Sequence, residues 1–118
     1  LPAGGAGEAE TPVIAAAREL AEETGIEIRE YDRFQLLPSI ALLVNRIPVF
    51  PHIYQIHITQ QEFDFRKKYD DEIISVECIC FEDVKRMIVN GEIYVSLPIA
   101  IISRFFLQVD SRNNNNDK

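Results

Sequence analysis

The spacing of apolar residues changes several times along the chain, and each change marks an element. Residues 1–10 are a glycine-rich loop that runs into Thr11-Pro12, where a hydroxyl residue suits the N-cap and proline the first helical position. Helix formers fill 13–24 and Gly25 follows as a stop. At about 100° per residue, Ile14, Ala17, Leu20, Ala21 and Thr24 fall on one side of this helix, and Glu19, Glu22 and Glu23 on the other. Residues 28–39 read as mixed strand and loop. Pro48 and Pro51 confine pairing within 47–59 to its later part, so a strand is expected over 53–59. Residues 60–71 read as a polar loop, and 72–81 alternates as a second strand with Ile74, Val76, Cys78 and Cys80 on one face. A short helix over 82–89 ends at Asn90-Gly91, and a last helix capped by Ser96 covers 97–108. The asparagine run at 113–116 belongs to a polar tail that need not fold. The chain thus divides into a domain over 1–110 and a low-complexity tail over 111–118.

Composition narrows the class. A chain of 118 residues, 47% hydrophobic and 26% charged, is large enough to bury one core. Its net charge of −7 repels a phosphate backbone, so no nucleic-acid partner is expected. No apolar run is long enough to cross a bilayer and no charged leader precedes an apolar one, so no membrane partner is expected and a cytoplasmic location is expected. Cys78 and Cys80 stand two apart in the expected second strand. That spacing does not suit a mutual disulfide, and they read as small core residues. His52 and His57 have opposite parity in a strand-like segment, which speaks against a zinc site or a Cys-His nucleophile pair.

The first helix carries the chemistry. Like charges on adjacent turns destabilise a helix, so Glu19, Glu22 and Glu23 call for something positive among them. Hard oxygen donors in that number suit Mg²⁺ or Mn²⁺; a solvated acidic face is the plainer reading of the same three residues. Before the helix, Ala3-Gly4-Gly5-Ala6-Gly7 lets the backbone approach a ligand closely and offers N–H and C=O groups to it, with Gly4 and Gly5 as candidate substrate contacts.

Gly4, five residues, Glu10, seven residues, then Arg18-Glu19-Leu20-Ala21-Glu22-Glu23-Thr24-Gly25-Ile26 resembles, position for position, the signature of the Nudix hydrolases. The resemblance implies an α/β fold, the Nudix α/β/α sandwich with a mixed sheet, here without its N-terminal strands. It implies Glu19, Glu22 and Glu23 as divalent-metal ligands, with Mg²⁺ as the cofactor and Mn²⁺ able to replace it. Glu10 becomes a further acidic position, Arg18 the residue that orients carboxylates by ion pairing, and Gly4 and Gly25 positions of special backbone geometry. Such enzymes cleave a nucleoside diphosphate linked to a second group, by metal-assisted attack of water on phosphorus.

Leu1-Pro2-Ala3-Gly4 is similar to the lead-in of the ADP-ribose and ADP-sugar pyrophosphatases, which implies the Ala3 carbonyl as a metal ligand. Asp71-Glu72-Ile73-Ile74, Phe81-Glu82-Asp83-Val84 and Asn90-Gly91-Glu92-Ile93 resemble the C-terminal half of the same branch, and there Asp71 or Glu72 is implied as the base that deprotonates water. Either is otherwise an acid of a solvated loop. Pro38 falls nearer the signature than the proline of that branch does. Arg46 is a candidate phosphate or ribose contact, or an exposed surface arginine. The expected partner is a small molecule linked through a nucleoside diphosphate, and a homodimer is expected where the N-terminal strands are present. The alternatives are a Nudix hydrolase of nucleoside triphosphates or dinucleoside polyphosphates, and a nucleotide-binding module that does not turn over substrate.

Overall fold

A computed structural model describes residues 5, 9–42, 49–68 and 76–116. The chain forms two compact units, one from residues 1–39 and 51–76, the other from residues 40–50 and 77–118.

The first unit is built on α1, Pro12–Thr24. Thr11 enters in the extended conformation and Pro12 takes the first helical position, where its missing N–H costs nothing. At the other end Gly25 turns left-handed at φ 78° and donates its N–H to the Ala21 carbonyl, while the Thr24 hydroxyl donates to the Leu20 carbonyl at 2.6 Å. The start and stop fall where the sequence places them, although the Thr11 hydroxyl makes no capping bond. The apolar side is turned slightly from expectation: Val13, Ala16, Ala17 and Leu20 meet Ile26, Ile28 and Phe34 in the core.

A 3₁₀ turn, Tyr31–Arg33, leads to β1, Gln35–Leu37, which pairs antiparallel with β2, Ile53–Gln55. In register Gln35 faces Gln55, Leu36 faces Tyr54 and Leu37 faces Ile53. The strand expected over 53–59 is thus cut to three residues. The apolar alternation does continue, since Tyr54, Ile56 and Ile58 all pack on the core. What ends the pairing is the partner: the 3₁₀ turn immediately before β1 leaves later residues no strand to pair with, and the His57 carbonyl accepts from the Arg33 side chain instead, at 2.8 Å.

The polar loop expected over 60–71 contains a helix, α2, Gln60–Asp64. Its N-terminus is a capping box: the Thr59 hydroxyl accepts from the Glu62 N–H at 3.1 Å, and the Glu62 carboxylate accepts from the Thr59 N–H at 3.0 Å. Arg33 closes on the same carboxylate with two bonds, 2.7 and 2.8 Å. That pairing, with the Thr59 N–H bond next in weight, holds the Glu62 carboxyl down at about 2.

The second unit is helical. α3, Phe81–Val89, ends at Asn90, and Gly91 turns left-handed at φ 79°. α4, Ser96–Asn116, is longer than the expected 97–108 and carries helical backbone into the asparagine run. Phe81 meets Phe105 and Phe106 edge to face, at 5.3 and 5.7 Å between ring centres, and the Lys85 ammonium lies 5.0 Å from the Phe106 ring centre.

The second expected strand does not form where it can be seen: residues 76–80 have no regular structure, and 69–75 lie outside the described residues. Cys78 and Cys80 are accordingly exposed free thiols and not core residues. Without a neighbouring strand there is no sheet face for them to be buried in, and the Cys80 thiol donates to Asp83 at the start of α3, 3.1 Å away. Helices with a small antiparallel sheet are compatible with an α/β class.

Candidate active site

The acidic side of α1 is organised around one cation. Arg18 donates through Nε and one terminal nitrogen to the two oxygens of Glu10, at 2.8 and 3.0 Å, a two-pronged pairing that fixes both partners in one plane. Its other terminal nitrogen donates to Glu19 at 2.9 Å and to both oxygens of Glu22, at 3.2 and 3.3 Å. The nitrogen shared with Glu10 also reaches the Gly5 carbonyl, at 2.9 Å. One guanidinium therefore binds the glycine loop, the approach to the helix cap and two successive turns of the helix itself.

Helical spacing explains the inner part of this arrangement. Arg18 and Glu22 stand four residues apart, one turn along the same side, and Glu19 is carried alongside. Glu10 comes from the extended approach to the Thr11 cap. Only a forked, planar cation with five donors serves all three carboxylates and a carbonyl together. Their hydrogen bonds, Glu10 first and then Glu19, push the Arg18 guanidinium well above its ordinary range. The positive charge that the acidic face calls for is thus supplied in part from within the chain.

The site is graded in exposure. The Glu19 side chain keeps 16% of its accessible surface, Glu10 23%, Arg18 35% and Glu22 57%, and Glu23 is exposed. Ala15, one turn before Glu19 on the same side, is buried. The carboxylates run from a partly enclosed inner end at Glu19 to an open outer end at Glu22 and Glu23.

Of the residues expected at the site, Arg18, Glu19, Glu22 and Gly5 come together here, joined by Glu10. Ala3, Gly4, Arg46, Asp71 and Glu72 lie outside the described residues. The donor chemistry of Glu19, Glu22 and Glu23 fits a hard divalent cation. Among the described residues, however, no three His, Cys, Asp or Glu side chains already share a point where one ion would sit, and one oxygen of Glu19 and both of Glu22 are engaged by Arg18.

A backbone contact at the end of α1 was not foreshadowed by any motif. The Lys67 N–H donates to the Gly25 carbonyl at 2.8 Å. A Cβ on Gly25 would overlap the Lys67 carbonyl oxygen and stand 2.8 Å from its carbon. Gly25 is needed here twice, for its positive φ and for this close approach. The second reason depends on a residue 42 positions away and leaves no local trace.

Among the described residues, no helix is long and apolar enough to cross a membrane. No curated protein and no solved structure matches the chain. The model of the NUDIX domain family matches residues 1–96, from the glycine loop to the first residue of α4, and with that span, the arginine-centred carboxylates and the doubly constrained Gly25, the chain belongs to the NUDIX domain family.

Proposed function

We propose that the protein hydrolyses the diphosphate of ADP-ribose or a related nucleoside-diphosphate sugar, with Mg²⁺ as cofactor, giving a nucleoside monophosphate and a sugar phosphate. Family membership carries the coarser part, since NUDIX domains act on nucleoside diphosphate derivatives and generally use divalent metal ions. The observation that supports the site is the set of bonds by which Arg18 gathers Glu10, Glu19 and Glu22. The finer assignment of substrate rests on the Leu1-Pro2-Ala3-Gly4 lead-in and the Asp71-Glu72 segment.

In this reading Glu19, Glu22, Glu23 and the Ala3 carbonyl would hold the metal. A bound divalent ion supplies charge neutralisation and Lewis acidity to a diphosphate. The remaining work falls to the protein. Arg18 holds the carboxylates together against their mutual repulsion and keeps them gathered on one side of α1. Glu10, gripped by two bonds, anchors Arg18 to the loop that also offers Gly5. Asp71 or Glu72 takes a proton from water, whose oxygen forms a new bond to phosphorus as the bridging P–O bond breaks.

The deciding experiment incubates the protein and Mg²⁺ with ADP-ribose, GDP-mannose, a deoxynucleoside triphosphate panel and diadenosine polyphosphates. AMP and ribose phosphate from ADP-ribose are expected, and Glu22→Gln or Glu23→Gln should lower the rate by orders of magnitude with the fold kept. No AMP from ADP-ribose sinks the substrate assignment, and unchanged turnover in both variants sinks the metal assignment.

A further inference from the structure

We propose that Lys67 and Lys68 form an anion subsite for the diphosphate at the C-terminal end of α1. The proposal rests on the diphosphate-hydrolase reading above and adds to it the cations on the protein that meet the substrate's phosphate oxygens.

Arg66, Lys67 and Lys68 are consecutive cations in a chain whose net charge is −7. Their position relative to the acidic helix is set by backbone and not by long side chains. The Lys67 N–H is bonded to the Gly25 carbonyl, and the Lys67 carbonyl occupies the space where any other residue at 25 would place its Cβ. Gly25 follows Glu22 by three residues, less than one turn of about 5.4 Å. The Lys67 backbone is therefore pinned at the C-terminal end of α1, in the same compact unit as the carboxylates.

The three cations are not equivalent. Arg66 is half-buried, donates to the Phe63 carbonyl at 2.9 Å and lies 4.1 Å over the Phe63 ring centre. Phe63 in turn packs on the core, so Arg66 fastens the segment. Lys67 and Lys68 are exposed. A diphosphate arriving at Glu19, Glu22 and Glu23 meets repulsion from those carboxylates, and two lysines at the helix end add opposing charge to the field it meets. A partial negative charge at a helix C-terminus also favours nearby cations, but that effect bears on helix stability alone and predicts no anion binding.

The test titrates inorganic pyrophosphate into the full chain by calorimetry, with EDTA present, at low and high salt. The wild-type chain should bind, more weakly as salt rises. Lys67→Gln/Lys68→Gln should bind about tenfold more weakly, which is about 1.4 kcal/mol, with an unchanged circular dichroism spectrum, and Lys67→Arg/Lys68→Arg should restore binding. In turnover the Gln pair should raise KM for the hydrolysed substrate while kcat holds. No binding by the wild-type chain, or equal binding by the wild-type and Gln chains, overturns the subsite. Pyrophosphate binding lost in the Gln pair supports the subsite even where no substrate of the panel is hydrolysed, an outcome that would refute the hydrolase reading instead.

Discussion

Gly25 and Gly91 have nearly the same backbone, φ 78° and 79°, and opposite surroundings. Replacing each by alanine separates the cost of the dihedral from the cost of the neighbour. For Gly91→Ala nothing stands within 4 Å of the new Cβ, so the loss is that of an L-residue in the left-handed region, about 1–2 kcal/mol. Gly25→Ala carries the same term and also drives a methyl into the Lys67 backbone, which no side-chain rotation relieves. Lys67 must withdraw, and its bond to the Gly25 carbonyl goes with it, adding about 1 kcal/mol. The expected totals are about 2.5 kcal/mol at Gly25 and about 1.5 kcal/mol at Gly91. At roughly 4 °C per kcal/mol for a chain of this size, the melting temperature should fall by about 10 °C and about 6 °C. Calorimetric melts of the two variants against the parent make the comparison, each read on its own transition where the two units melt separately. Equal losses would refute the reasoning, since they would mean that the Lys67 backbone exerts no constraint on Gly25.

Two further outcomes follow from the ion pairs. Arg18→Lys keeps the charge but loses the fork that holds Glu10 by two bonds and Glu19 and Glu22 by others, and under the proposed function kcat/KM should drop by about 10–100-fold with little change in melting temperature; a fall in stability with activity intact would contradict it. The Glu62 carboxyl is held at about 2, below its ordinary 4.5. Its contribution to stability is complete above the ordinary value and drains away as pH falls toward 2. Thermal melts from pH 5 to pH 2 should therefore decline more steeply for the parent than for Glu62→Gln, and parallel declines would remove Glu62 from the account.

What was legible in the sequence was local. Pro12 and Gly25 bound α1 because each acts within a turn of itself, and the signature sets Glu10, Arg18, Glu19 and Glu22 at the spacing at which their side chains meet. The capping box of α2 is equally local: Thr59-Gln60-Gln61-Glu62 spells it, and the surrounding polarity hid it. The errors came where one segment's state depends on another. The 53–59 strand shortened for want of a partner beyond β1, and Cys78 and Cys80 are exposed because a buried strand face needs a sheet. The pinning of Lys67 on Gly25 is the extreme case, a contact between backbones that no side-chain pattern encodes.

The two compact units are interleaved along the chain, with crossings after residues 39, 50 and 76. Neither is an uninterrupted stretch, so no single cut yields both intact. A fragment ending at 76 would take residues 40–50 away from the helices they belong with, and a fragment starting at 77 would lack them. A catalytic module and an appended tail joined by end-to-end gene fusion would not have this pattern. The helical second unit is woven into the chain that bears the acidic site, and insertions or deletions in 40–50 are changes to the α3–α4 unit, however close in sequence they stand to β1 and β2.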